Sequence, residues 1–359
     1  MKRILVTASG GAPALGFVRS LRDAPEPMYM IGCDCNEYNL LRSETDEKIL
    51  IPKATDPSYI PFLKKTLKEK NVDFIHCQPD IEVGIVSKHR DELGVRTFLP
   101  NQKTIDVLRN KAESYRYWEK AGLKVPKTIL VNTVEDLKMA FEQFGLKIWL
   151  REIEGAAGKG SLASPTFDLA REWITLRQGW GRYTAAEKLS RETVTWMSLY
   201  KNGELIVAQG RKRLYWEFAD RTQSGVTGIT GTGMTVSDPR LDETAQRAVF
   251  AIDGKPNGIF SVDLTYDADG IPNPTEINIG KFFTTHYFFT KAGLNMPYIY
   301  LKLAFGEPLP EIPRILNPLP EGLLWIRGMD KEPLLTTIDE IENAKRAFKE
   351  TLGSLKNDG

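Results

Sequence analysis

The sequence predicts an α/β protein: a doubly wound parallel sheet in its first third, followed by a longer region of hairpins and intervening helices. Three observations carry this expectation. Strand-like and helix-like segments alternate through the first third, the order that builds a parallel sheet with helices on both faces. Further on, Lys201-Asn202-Gly203 and Asp269-Gly270 each join two alternating apolar runs, the signal of a β-hairpin. The chain, at 359 residues, is long enough for two or three domains with a sizeable core.

The elements justify themselves in order. "RILVTA" is a buried-strand run that ends in Ser9-Gly10-Gly11, and "APALGFVRSLR" has helical periodicity. "MYMIGCD" is a second strand, "YIPFLKKTLKEKN" a helix and "VDFIHCQP" a third strand. In such a sheet ligands sit at the carboxyl ends of the strands, here near Gly10, Asp34 and Pro79-Asp80. The glycine run reads G-G-A-P-A-L-G rather than G-x-G-x-x-G, so a dinucleotide site is disfavoured even though Asp34 ends the second strand. One helix is expected over "TIDVLRNKAESYRYWEKAG", then the strand "KTILV", the helix "TVEDLKMAFEQFG" and the strand "KIWLRE". A small-residue loop, "EGAAGKGS", precedes the helix "DLAREWITLRQ" and the strand "YTAAEKL". "VTWMSLY" and "ELIVAQGRKRLY" form the first hairpin, and the helix "DETAQRAVFAID" leads into the second. Gly225 to Gly233 holds too many glycines for a strand and reads as a flexible loop over a cleft. The last segment, "TTIDEIENAKRAFKETLGSLK", reads as one amphipathic helix, open either to covering the core or to a homodimer contact.

Bulk charge excludes several classes of function. With 48 basic and 47 acidic residues the net charge is +1, which gives no general attraction to nucleic acid or membrane. Three cysteines and three histidines are too few for a disulfide framework or a zinc cage. The opening residues lack a signal-peptide core and no window is apolar for about 18 residues, so a soluble cytoplasmic protein is expected. The basic-aromatic run "GRKRLYW" reads as a solvated face or part of a cleft rather than a nucleic-acid surface. His286, set among Phe282, Phe283, Phe288 and Phe289, reads as a packing histidine.

The second hairpin carries the chemistry. Its alternation places Asp263, Glu276 and Asn278 on one face and Val262, Leu264, Ile277 and Ile279 on the other, with Asp263 opposite Glu276. Two carboxylates opposed at about 5 Å repel unless a cation lies between them. Every donor there is an oxygen, which fits a hard metal, and the alternative is an ordinary solvated face. The small residues of "EGAAGKGS" let backbone amides approach an anion, although the spacing is not that of a Walker motif.

Taken together, these parts resemble the ATP-grasp superfamily, most closely its carbamoyl-phosphate-synthase-like, carboxylate–amine ligase branch. The resemblance rests on the order of five segments: Asn110-Lys111-Ala112-Glu113 with Arg116, then "WLREIEGAAGKGS", "AAEKL", Glu192, and the hairpin ending in E-x-N. It implies a pre-ATP-grasp domain over residues 1–102 and an ATP-grasp domain over 103–310, with a small lid lobe at 125–187, a metal-binding lobe at 188–310 and a C-terminal extension. It implies that Lys111, Arg151 and Arg116 neutralise phosphates, and that the amides of Gly158, Lys159, Gly160 and Ser161 close over the transferred group. Lys188 and Leu189 would pair with adenine through their backbone, Glu187 with its amino group, and Glu192 with ribose. Asp263, Glu276 and Asn278 would hold Mg²⁺, or Mn²⁺, beside ATP. Arg151 and Lys281 would assist transfer, with Arg211, Arg213, Thr284 and Thr285 on the substrate side.

The departures are specific. Ile279 and Gly280 stand where the family often has Pro-Arg, Asp263 where it often has Glu or Gln, and Ala156, Ala157 and Lys159 among the lid glycines. The activity implied is ATP-driven joining of a small carboxylate and an amine through an acyl phosphate. The rival readings are release of the phosphorylated carboxylate as in a kinase, a nucleotide-binding regulatory protein without turnover, and a nicotinamide-dependent oxidoreductase on the N-terminal fold.

Overall fold

The computed structural model describes residues 1–145, 147–153, 160–222, 225, 229–328, 334–339 and 346. Its mixed α/β architecture has three sheets in chain order. The first is parallel: β1 (Lys2–Thr7), β2 (Met28–Asp34), β3 (Glu47–Leu50) and β4 (Phe74–His76), in the order β3-β2-β1-β4. Ile4, Leu5 and Val6 of β1 are fully buried, as a parallel sheet covered on both faces requires. Helices Ala12–Arg22, Tyr59–Glu69 and Asp80–Lys88 supply the cover.

The single helix expected after Asn101 is two, Gln102–Arg109 and Lys111–Lys120. Asn110 is extended between them, and its side-chain oxygen accepts from the amides of Ala112 and Glu113. An N-cap within a continuous helical pattern restarts the helix and places Lys111 on its first turn.

The second sheet is antiparallel: β5 (Thr128–Val131), β6 (Ile148–Glu152), β7 (Leu162–Ser164) and β8 (Tyr183–Glu187), in the order β5-β8-β6-β7. Helices Val134–Phe144 and Phe167–Leu176 lie on it, and Leu137, Ala140, Leu150 and Ile174 belong to a hydrophobic cluster of its own. This lobe is thus held together internally.

The third sheet has seven strands: β9 (Thr193–Lys201), β10 (Glu204–Trp216), β11 (Thr230–Val236), β12 (Gly258–Tyr266), β13 (Pro272–Ile279), β14 (Leu323–Ile326) and β15 (Leu334–Thr337), in the order β13-β12-β9-β10-β11-β14-β15. Its core is shared with the parallel sheet. One cluster joins Leu5, Cys77 and Val83 to Val262, Leu264 and Ile277; another joins Ile4 and Phe17 to Met197, Leu199 and Phe288. His286 lies in that second region, fully buried and tilted against Phe282 at 4.8 Å, as its neighbours predicted.

Two expectations are corrected in this sheet. Thr230–Val236 is a strand, because its glycines sit where large side chains cross it. A Cβ at Gly231 would meet the Tyr215 ring at 2.6 Å, and one at Gly233 would meet Arg211 Cδ at 2.8 Å. Thr336 and Thr337 end β15 instead of opening a helix; Ile338 and Asp339 are helical, and most of the remaining "amphipathic helix" lies outside the described residues. No helix among the described residues is long and apolar enough to cross a membrane.

Candidate active site

The β12–β13 hairpin positions the acidic face. Asp263 pairs with Glu276 and Ser261 with Asn278, while Val262, Leu264, Ile277 and Ile279 are buried on the opposite face. The turn spans Asp267 to Ile271 rather than two residues, with the Asp267 amide donating to the Ile271 carbonyl. A bulge restores the register: beyond Asp263 the pairing steps past Thr275, so that Leu264 faces Pro274. Pro272 and Pro274 have no N–H to give a ladder, which makes this stretch a natural place for a bulge. The bulged Thr275 turns its carbonyl outward, where the Arg151 guanidinium of β6 donates to it at 3.0 Å. Its hydroxyl donates to the Asp263 carbonyl oxygen at 3.0 Å.

The sheet registers extend this face into a row across four strands: Arg211 on β10, Thr195 on β9, Asp263 on β12 and Glu276 on β13. Asp263 accepts from the Thr195 hydroxyl (2.5 Å), the Arg213 guanidinium (2.6 Å) and the Asn278 amide (3.0 Å). Glu276 faces Lys111, whose ammonium lies 3.4 Å away. Arg151 also donates to the Tyr115 hydroxyl at 2.6 Å, and burial pushes that phenol up. Arg211 is fully buried over the Phe283 ring and donates to the hydroxyls of Thr195, Thr230 and Thr285. Burial, and then the adjacent Arg213, hold its pKa well below the usual arginine value.

Charge on this face is unbalanced. Lys111, Arg151, Arg211 and Arg213 are four cations, and Asp263 and Glu276 are two carboxylates, an excess of two positive charges. Each carboxylate has its own side-chain cation, so the opposed pair is compensated before any metal enters. No cluster of three His, Cys, Asp or Glu that could hold a metal occurs among the described residues. The oxygens of Asp263, Glu276 and Asn278 still form a hard donor set, and Mg²⁺ is commonly held by one or two carboxylates with phosphate and water completing its shell.

A separate cleft lies at the tip of the same hairpin, and none of the row's residues lines it. It encloses about 400 Å³ between Lys188, Leu189 and Ser190, just past β8, and Asp267 to Asp269 at the hairpin tip. Lys124 closes one side, 2.5 Å from Asp267 and 3.4 Å from Asp269. Burial opposes the charged form of Asp267, yet Lys124 and the amides it accepts from hold its carboxyl at about 2. The Glu187 amide donates to the Lys127 carbonyl at 3.0 Å, and the Glu187 carboxylate accepts from the Lys127 amide at 2.9 Å. Glu192 pairs with Lys212.

The structure therefore brings together Lys111, Arg151, Asp263, Glu276, Asn278, Arg211, Arg213 and Thr285. It leaves Arg116 on the exposed side of its helix, paired with Glu113. Lys281 leaves the face too: Gly280 at φ +70° turns the chain, and Lys281 pairs with Asp80 of the N-terminal domain. Thr284 is half-buried in the following turn. Gly160 (φ +81°) is backed by Glu152 and Tyr183, while Ser161 is half-buried beside it. Gly158 and Lys159 lie outside the described residues, as do Ala156 and Ala157. Thr195, Thr230, Tyr115 and Thr275 were missed by sequence reasoning. Only Thr195 had a signal: alternation with the apolar Val194 and Trp196 puts it on the Arg211 face once the strands are registered.

No protein-family model matches this chain, and no curated protein is significantly similar to it in sequence. Solved structures, however, superpose on nearly all of it. An N5-carboxyaminoimidazole synthetase from Staphylococcus aureus complexed with ADP is 16% identical with a TM-score of 0.69, covering 97% of this chain and 87% of that one. The fold is that of the ATP-grasp enzymes. The same ATP-grasp fold relates the chain to the biotin carboxylase domain of the Hydrogenobacter thermophilus 2-oxoglutarate carboxylase, in complex with MgADP, ADP and bicarbonate (16% identity, TM-score 0.69, 90% of this chain and 73% of that one). It also relates it to an L-amino acid ligase from Bacillus licheniformis (13% identity, TM-score 0.67, 90% and 79%).

Proposed function

We propose that this protein is an ATP- and Mg²⁺-dependent carboxylate–amine ligase. The observation that carries the reading is the row Arg211–Thr195–Asp263–Glu276: oxygen donors for a hard cation, with Lys111, Arg151 and Arg213 against them, on the hairpin whose tip lines a cleft. Such a face suits a metal-bound polyanion better than a bare cation, since its own excess charge is positive. The solved relatives are ATP-dependent ligases, and several carry ATP or ADP in their complexes.

In this reading Lys188 and Leu189 take the base in the cleft, and Glu192 lies toward the sugar. Lys111, at the start of its helix, and Arg151, held against Thr275, balance charge on the phosphates. Asp263, Glu276 and Asn278 hold Mg²⁺, which supplies neutralisation of charge on the phosphates being transferred. A carboxylate oxygen forms a bond to the γ-phosphorus as the bond from that phosphorus to the β-bridging oxygen breaks, giving an acyl phosphate and ADP. The amine then forms a bond to the acyl carbon, phosphate leaves with the C–O bond, and the amine proton passes to solvent. The chain's part is positioning and electrostatics rather than acid–base chemistry.

The test is ADP release from ATP and Mg²⁺ against a pool of bicarbonate, amino acids and dicarboxylic acids, by wild type and by Glu276→Ala. Acceptor-dependent release that falls by roughly 100-fold or more in the variant is expected. The absence of an arginine at 280, with Lys281 engaged by Asp80, favours one second reading, a nucleotide-binding regulator. Magnesium-dependent ATP binding with no ADP formed for any acceptor would establish it instead.

A further inference from the structure

The hairpin that ends in Glu276 and Asn278 cannot carry an arginine at its next outward position. Gly280 has φ +70°, and a Cβ there would meet Val83 Cγ1 at 2.9 Å and Leu99 Cδ2 at 3.1 Å. Val83 and Leu99 belong to the core shared with the N-terminal domain, so neither yields easily. Lys281, the next cation along the chain, is committed to Asp80. A cation that this face offers to an anionic substrate therefore comes from elsewhere than the end of this hairpin.

Strand β10 supplies it. Arg213 reaches the acidic face with one guanidinium nitrogen bonded to both the Thr195 hydroxyl and Asp263, while its Nε, buried, has no partner. Its side chain keeps 11% exposure, whereas Arg211 behind it is sealed. Trp216 lies 4.5 Å from the Arg213 guanidinium and provides a flat apolar wall beside it. Two guanidiniums share the Thr195 hydroxyl, and Asp263 pairs with only one of them, which leaves a planar cationic fork in excess that matches a carboxylate or a phosphoryl oxygen pair.

We propose that Arg213 binds the carboxylate of the acceptor substrate. The inference rests on the ligase reading above and adds the residue that recognises the acceptor. In the metal-free protein Arg213 neutralises Asp263. If Asp263 were to hold Mg²⁺, its charge would be met by the ion, and the Arg213 guanidinium would be left to pair with the incoming carboxylate. Only non-covalent contacts change in this step.

The experiment uses the full chain loaded with Mg²⁺ and a fluorescent ADP analogue, titrated with bicarbonate, malonate and L-glutamate as carboxylate probes in a calorimeter. Wild type is compared with Arg213→Gln and Arg213→Lys. The expected result is saturable binding of at least one probe to wild type, weakened roughly tenfold or more in Arg213→Gln and partly restored in Arg213→Lys, all three being compared at saturating nucleotide. Probe binding equal in wild type and Arg213→Gln overturns the inference, and so does a nucleotide-loaded wild type that binds no probe. Failure of wild type to bind the nucleotide at all is a different result, and it overturns the ligase reading itself.

Discussion

Gly280 shows how one residue constrains the chemistry of its surroundings. Its φ of +70° favours glycine, and the space above its Cα belongs to Val83 and Leu99. Substitution by alanine would combine left-handed strain with a core clash. We expect Gly280→Ala to lower stability by about 1–3 kcal/mol, measured by denaturant unfolding. Gly280→Arg, the residue the family often has here, is expected to cost more than alanine and to give no gain in turnover. The same residue explains where Lys281 goes. In an unbroken strand it would have pointed away from Asn278's face; after the glycine turn it meets Asp80 instead.

At the scale of elements, positions set by local spacing were legible and those set by crossing elements were not. The opposition of Asp263 and Glu276 followed from alternation alone, although the turn is longer than two residues and a bulge at Thr275 makes up the difference. The β11 glycines look like a loop in one dimension, because the side chains that need their space, Tyr215 and Arg211, come from a neighbouring strand. Arg213 and Thr195 could be placed on a face, but their bonds to Asp263 depend on which strands are neighbours. The break at Asn110 was legible in principle, since Asn followed three residues later by Glu113 marks a helix start. That cap matters for the site, because it fixes Lys111 on the first turn. Asn110→Ala is expected to destabilise the protein by about 1 kcal/mol and to weaken MgATP binding through displacement of Lys111. Asn110→Asp keeps the cap and should preserve affinity, so a nucleotide titration of both variants separates capping from lost fold.

At the scale of the whole molecule, the N-terminal parallel sheet and the large sheet share their cores while the small antiparallel sheet keeps its own, and we expect the seam between the first two to respond to pH. His76 stacks on Phe17 at 4.0 Å and accepts or donates a bond with Gln78, whose amide in turn donates to the Phe282 carbonyl across the seam. His286 lies against the same Phe282. Burial pushes His76 down to about 3 and His286 to about 4, from an ordinary value of 6.5. Both are neutral in the fold and become charged on unfolding in mild acid, so the unfolded chain binds more protons and stability is lost as pH falls below 6.5. Glu82 acts in the opposite sense. Burial raises its carboxyl from 4.5 to about 6, so the folded state holds its proton between those values and stability there rises as pH falls. Two histidines against one glutamate leave a net uptake of about one proton on unfolding between pH 5 and 6, roughly 1.4 kcal/mol lost per pH unit. Denaturant unfolding at pH 7, 6 and 5 measures it directly. Between pH 6.5 and 6 the unfolded histidines are only partly charged and the slope is a little shallower; below 5 it steepens as Glu26 and Asp267, both held at about 2, begin to favour the unfolded chain. A Glu82→Gln variant keeps the histidines and removes the opposing group, so its loss of stability between pH 6 and 5 should be roughly one and a half times that of wild type. Equal slopes would mean that Glu82 titrates in the fold as it does in water.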